Sequence, residues 1–202
     1  KWKLISPAFL VQNRAEIEGA GYTVSEDRNN YDYLYLRSEL ASLSGKKFHK
    51  KKNHVNAFEL AYPDHTVKPL SVETRDDAIA VLEAWNDLEE NSLDTDYRAA
   101  KEALSLLGSF EMTGLVLYVE GVPVAWTLAE TVAAGRMCAV HFEKARVEYR
   151  GSYQFINYAF AQYLPDTVEF INREQDLGDE GMRQAKMTYR PSGFVEKFMV
   201  LK

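Results

Sequence analysis

The stretch from residue 115 to residue 143 constrains the fold more than any other part of the chain. Leu115 to Val119 is a short apolar run, Glu120-Gly121 a two-residue turn, and Val122 to Leu128 a second apolar run. Two such runs joined by a two-residue turn that ends in Gly make an antiparallel hairpin. Ala134-Gly135 turns the chain again, into Met137 to Glu143 as a third strand. Pro123 has no amide hydrogen to give a ladder, so it marks a strand start, a bulge or an edge. A meander this apolar must be covered, and the rest of the chain supplies the helices that cover it.

One helix ends near Gly19-Ala-Gly21, a short one runs from Ser38 to Leu43, and Phe48, Lys51, Val55 and Phe58 fall on one stripe of a helix that reaches about Tyr62. Thr74 opens a helix carrying Ala78, Leu82 and Trp85. Another starts near Ser92 and stops at Gly108. Ser152 to Tyr163 follows Gly151, and Asp179 to Lys186 is a short helix. Further strands are expected at Tyr22–Val24, Tyr31–Leu36, Thr167–Asn172 and Phe194–Leu201. The fold class is therefore α/β (α+β), with a mixed, mostly antiparallel sheet flanked by helices. At 202 residues, with 46% hydrophobic and 27% charged residues, the chain has the make-up of a folded globular protein. No apolar run approaches the roughly 20 residues that cross a bilayer. Cys138 is the single cysteine, which excludes an internal disulfide framework and a cysteine-rich zinc site. No secretory signal opens the chain, and the expected compartment is the cytoplasm.

Charge is unevenly spread. The net charge is −6, yet Lys46, Lys47, Lys50, Lys51 and Lys52 lie with two histidines in nine residues. Glu83, Asp87, Glu89, Glu90, Asp94 and Asp96 form an opposite run. Like charges four apart on a helix, Lys46/Lys50 and Lys47/Lys51, repel. The repulsion is offset either by the acidic stretch or by an external polyanion, unless the lysines are simply solvated.

Three segments carry a resemblance to a known family: Leu43 to His54, Ile171 to Gly178 (Ile-Asn-Arg-Glu-Gln-Asp-Leu-Gly), and Gly181 to Pro191. They are similar to DUF2156, related to the C-terminal catalytic domain of phosphatidylglycerol lysyltransferases, within the GNAT-like acyltransferase superfamily. From about Leu70 onward the order of two helices, a three-stranded meander, a helix, a strand, a short helix and a final strand also resembles the GNAT fold. The resemblance implies tandem GNAT-like halves, with residues 1–36 the tail of a preceding half and 37–202 the C-terminal domain. The first residue is Lys1 rather than Met, which fits a fragment. It also implies an acyl- or aminoacyltransferase, with aminoacyl-tRNA as donor and a phospholipid or small-molecule amine or hydroxyl as acceptor.

In GNAT enzymes a Gln/Arg-x-x-Gly-x-Gly/Ala loop before the central helix cradles the pyrophosphate of coenzyme A, because free backbone N–H groups and the helix dipole favour phosphate there. The equivalent Arg146 to Gly151 keeps both ends, but Tyr149 stands at the middle Gly and Glu148 adds a negative charge. A coenzyme A thioester is therefore disfavoured as a cofactor, and the acyl-coenzyme A-dependent N-acetyltransferase is the runner-up. A non-catalytic binding module of the same fold is the rival from another class. No metal ligand spacing is present among the four histidines.

In this fold the third meander strand borders the reacting centre. Glu143 and His141, two apart on it, are the candidates for the base that deprotonates the acceptor, the alternative being a surface ion pair of Glu143 with Lys144 or Arg146. Tyr189 is the candidate proton donor to the leaving group, or a packing residue. Asn172, Arg173, Glu174 and Asp176 at a strand end, with Arg183 and Lys186 on the next helix, make a candidate substrate pocket or a structural network. The oxyanion donor is expected at a backbone N–H freed by a strand bulge near Trp126–Ala129 or Met137–His141.

Overall fold

The computed structural model describes residues 1–88 and 96–202. In chain order the elements are β1 (Trp2–Ile5), α1 (Pro7–Gly19), β2 (Thr23–Glu26), β3 (Asp32–Leu36), α2 (Arg37–Ser42), α3 (His49–Ala61), β4 (Thr66–Pro69), α4 (Arg75–Leu88), α5 (Tyr97–Ser105), β5 (Thr113–Val119), β6 (Val122–Val132), β7 (Met137–Ala145), α6 (Ser152–Tyr163), β8 (Phe170–Asn172), α7 (Glu180–Met187), β9 (Gly193–Val195) and β10 (Phe198–Leu201). The chain divides into two compact units, one of residues 1–35 with 172–202 and one of residues 36–171. Residues 172–202 thus group with the N-terminal segment rather than with 37–171.

The larger unit is organised by the meander. Glu120 and Gly121 both adopt positive φ, 50° and 80°, as a tight hairpin turn requires. β5 pairs with β6 and β6 with β7, all antiparallel, and β4 extends the sheet beyond β5. β8 follows β7 on the other side. Val116, Trp126 and Leu128 project to one face and pack against Ala78, Val81 and Leu82 of α4 and Ala100 and Leu104 of α5. Neighbouring strand residues point to opposite faces, so Thr127 and its partner Glu143 project to the other face, where α6 lies. Gly114 is obligatory at its place: a Cβ there would sit 2.2 Å from the Thr127 carbonyl oxygen. The Pro123 expectation holds, since the β5–β6 register shifts beside it and leaves Val124 as an extra residue.

In the smaller unit β10 pairs antiparallel with both β1 and β2, and α1 covers this sheet through Leu10 and Ile17 against Val200. Ser6 caps α1, its Oγ accepting from the Phe9 amide, with Pro7 at the first helical position. β3 pairs antiparallel with β9. The single strand expected over Phe194–Leu201 is therefore two strands, β9 and β10, paired in different ladders. β1 and β4 carry too few alternating residues to be read from the sequence. α2 is capped by Leu43 in the left-handed region (φ 45°), at the end expected for the Ser38–Leu43 helix. The expected start of a helix near Ser92 lies outside the described residues, as do Glu89, Glu90 and Asp94. No helix among the described residues is long and apolar enough to cross a membrane.

Candidate functional site

The β6–β7 ladder is irregular at one place. Leu128 pairs with Phe142 and Ala129 with Val140, so one residue on β6 is passed while two are used on β7. The extra residue is His141. A bulge of this kind interrupts the ladder and leaves the inserted residue outside the regular pairing. It falls inside the Met137–His141 window expected for the oxyanion donor. The inserted residue lies two positions before Glu143 on the same strand. Nε2 of His141 lies 3.2 Å from Oε1 of Glu130 on β6. Glu143 accepts a hydrogen bond from Nδ2 of Asn157 on α6 at 3.3 Å.

The two cations considered as surface partners of Glu143 have other company. Lys144 is buried, its Nζ 2.6 Å from Asp96 and 3.7 Å from the centre of the Trp85 ring. Arg146 faces Glu148 at 4.0 Å. Cys138 is fully buried, and burial together with the charge of Glu130 pushes its thiol up to about 12, which leaves it inert at neutral pH.

The loop before α6 is packed rather than open. The Tyr149 amide donates to the Arg146 carbonyl and the Ser152 amide to the Tyr149 carbonyl, which consumes two of the N–H groups that a phosphate would need. The Tyr149 ring lies 5.6 Å from that of Tyr62, just past α3. Gly151, at φ 93°, has the His54 carbonyl and the Phe58 side chain directly against it, 3.1 Å and 3.2 Å from where a Cβ would be. Coenzyme A, which the fold class implies, does not fit residues arranged in this way.

The strand-end candidates come together in the smaller unit. Asp176 has no exposed side-chain surface. Arg183 donates to it from Nε and Nη2 at 2.9 Å each, the Tyr33 hydroxyl at 2.5 Å, the Gly178 amide at 2.9 Å, and Arg28 at 3.4 Å. Burial alone would raise the Asp176 carboxyl, but Arg183, Tyr33 and Gly178 hold it well below the usual carboxylate range. Lys186 donates to the carbonyls of Arg173, Glu174 and Gln175. Burial, with the charge of Arg173, brings its ammonium down to about 8. Asn172 donates to Asp32, which also pairs with Lys197. Tyr189 is buried, its ring edge-on to Tyr35 and beneath the Arg173 guanidinium. Asp176, Arg183, Lys186 and Asn172 are thus partnered by the protein itself. Arg28, Tyr33, Asn157 and Glu130 escape a reading of the sequence, because each acts through a contact distant along the chain.

The basic run straddles a boundary. Lys46 and Lys47 lie in a single 3₁₀ turn, and Lys50, Lys51 and Lys52 in the first turn of α3. The i,i+4 repulsion expected across the run therefore does not apply to Lys46 and Lys47 as residues of one α-helix. Phe48, Val55 and Phe58 anchor the helix in the core as expected. Lys47 pairs with Glu39 at 2.6 Å, while Lys46, Lys50 and Lys52 are exposed. Of the acidic stretch, Glu83 pairs with Lys101 and Asp96 with Lys144.

Helices on both faces of a meander, with a bulge in its third strand, define a GNAT-like fold. Its family follows from comparison: residues 8–201 match the model of the phosphatidylglycerol lysyltransferase C-terminal family, and the chain belongs to it. A conserved protein of unknown function from Bacteroides thetaiotaomicron superposes with a TM-score of 0.85 at 35% identity, covering 99% of this chain and 69% of that one. L-PGS from Bacillus licheniformis superposes with a TM-score of 0.68 at 15% identity, covering 98% and 66%. An uncharacterized protein of Mycoplasmoides gallisepticum is 25% identical over 176 residues, 84% of this chain. This chain spans 55% of that relative's length.

Proposed function

We propose that the chain transfers an aminoacyl group from tRNA to a hydroxyl or amine acceptor, a phospholipid headgroup being the acceptor that the family name suggests. The observation that carries this reading is the closed loop before α6. A transferase of this fold that cannot seat the pyrophosphate of coenzyme A needs another activated donor, and an aminoacyl ester on tRNA requires no such cradle. The acceptor oxygen or nitrogen attacks the ester carbonyl, and Glu143, held by Asn157, takes its proton with His141 alongside. The negative charge on the former carbonyl oxygen is met by a backbone N–H of β7 at the His141 bulge. As the tetrahedral intermediate collapses, the bond to the ribose oxygen of tRNA breaks and the protonated base returns the proton to that oxygen. The mechanism needs no contribution from Tyr189, whose ring is already packed.

In this reading Asp176, Arg183, Lys186 and Asn172 shape the loop of residues 172–178 and do not touch substrate themselves. Lys46, Lys50, Lys51 and Lys52 meet the tRNA phosphates. Positive side chains in the first turn of a helix oppose its dipole, and an anion placed there relieves both. The test is transfer of radiolabelled lysine from lysyl-tRNA into the lipid fraction of phosphatidylglycerol vesicles, with the Glu143→Gln variant in parallel. Turnover is expected to fall by about 10²-fold, the usual contribution of a general base. An unchanged rate removes Glu143 from the mechanism. Saturable binding of acetyl-coenzyme A at micromolar concentration, with acetyl transfer, replaces this reading with the N-acetyltransferase.

A further inference from the structure

Beside the bulge lies a cleft of about 590 Å³ that the mechanism above does not use. It is lined by Phe110, Glu111, Met112 and Thr113 at the entry to β5 and by Glu130 and Thr131 near the end of β6. That volume falls within the range of small-molecule sites. Its chemistry is one-sided: two carboxylates and two hydroxyls beside an aromatic ring and a thioether, with no Lys or Arg in the lining. Phe110 leaves 62% of its surface exposed, so its ring is open to a ligand in the cleft. Met112, by contrast, packs against the core formed by α4, α5 and the sheet, and makes an apolar floor. Glu130 has a second role, since its Oε1 is the oxygen 3.2 Å from His141 Nε2. An ionised carboxylate has about four acceptor positions, so Glu130 can hold His141 and accept from a further donor at once.

The geometry points to this cleft as a binding site for a protonated alkylamine, its ammonium held by Glu130 and Glu111 and its hydrocarbon stem laid against Phe110 and Met112. An ammonium supplies what the lining lacks, positive charge and donors, and an aromatic face next to carboxylates is a favourable place for it. Glu130 then joins the bound cation to His141, so that occupancy of the cleft is felt at the bulge. The proposal takes its meaning from the transfer reading above, where the amine belongs to one of the two reactants, but it does not depend on that reading for its test.

The test is a titration of the intact chain with n-butylammonium chloride, with 1-butanol and sodium butyrate as matched neutral and anionic probes. The signals followed by NMR are the Met112 methyl and the His141 ring. Saturable shifts are expected at both for n-butylammonium, with the two other probes weaker by about tenfold or more, a difference of about 1.4 kcal/mol. Glu111→Gln, which alters only an exposed side chain, should weaken binding several-fold. Glu130→Gln should weaken it further and uncouple the His141 shift from that of Met112. Equal binding of 1-butanol, indifference to both substitutions, or no saturable shift overturns the proposal. Neither tRNA nor lipid is present, so cation binding without transfer refutes the proposed function and keeps the cleft. Transfer without cation binding does the reverse.

Discussion

The unit of residues 1–35 and 172–202 buries Asp27, Asp32, Asn172 and Asp176, whereas the unit of residues 36–171 buries Trp126, Leu128, Val116, Leu82 and Leu104 at the centre of its sheet. One adds buried carboxylates and their donors to a small apolar core, the other is held chiefly by apolar side chains on both faces of a meander. The difference bears on tolerance. An apolar core accepts exchanges that keep its volume, each costing modestly. A buried carboxylate accepts almost none, because losing one partner strands the others without solvent. Around Asp176 the backbone takes up positive φ at Glu174, Leu177 and Gly178.

The sharpest break of this comparison is Asp176→Ala. It removes the acceptor that Arg183, the Tyr33 hydroxyl and the Gly178 amide share, and should destabilise by about 3–5 kcal/mol in urea unfolding. A loss below about 1 kcal/mol would mean that water reaches the network and that it is no hub. In the apolar unit Gly114→Ala is the counterpart, forcing a methyl against the Thr127 carbonyl and Leu70. The expected loss is about 3 kcal/mol, at the upper end of overpacking costs, seen as a lower urea midpoint with unchanged slope.

Acid sharpens the contrast further. The Asp176 carboxyl titrates lower in the folded chain than in the unfolded one, whose value is about 3.9. Its contribution is complete above that value and lost as pH falls toward the folded one, because there the unfolded state binds the extra proton. Stability measured from about pH 5 downward should fall less steeply in Asp176→Asn than in the wild type. Parallel curves would place the acid sensitivity elsewhere. The smallest effect on stability belongs to the triple substitution of Lys50, Lys51 and Lys52 by Ala: a gain of a few tenths of a kcal/mol, since like charges leave the positive end of α3. The same variant should flatten the salt dependence of tRNA binding, because each lysine withdrawn from a phosphate takes about one released counterion out of the slope. An unaltered slope would leave these lysines as solvated charge.

The two units are also unequally legible in the sequence. The meander, its Glu120-Gly121 turn, the helix following Gly151 and the anchoring of α3 by Phe48 and Val55 follow from spacing and turn chemistry, which are local. The Asp176 network is visible there only as a cluster of polar residues, for which a pocket and a scaffold read alike. Tyr33 lies 143 positions away and Arg28 148, so neither can be assigned to it without the fold. On β7 the identity of His141 as the inserted residue is equally hidden. A bulge is defined by its partner strand, and Val140 to Phe142 alone contains nothing that marks it. β9 and β10 escape for a related reason: Phe194 to Leu201 reads as one strand until two different partners divide it.

Lys186 has a consequence that can be put in the terms of ion binding. Three consecutive carbonyls, those of Arg173, Glu174 and Gln175, converge on its Nζ, and converging carbonyls are how ion-selective sites replace the hydration shell of a monovalent cation. Here the cation is covalently tethered to α7, so its binding is intramolecular. The loop's shape should therefore be indifferent to whether the medium holds sodium or potassium. It depends instead on α7 remaining wound, which makes helix and loop a single cooperative element: neither can loosen without releasing the other.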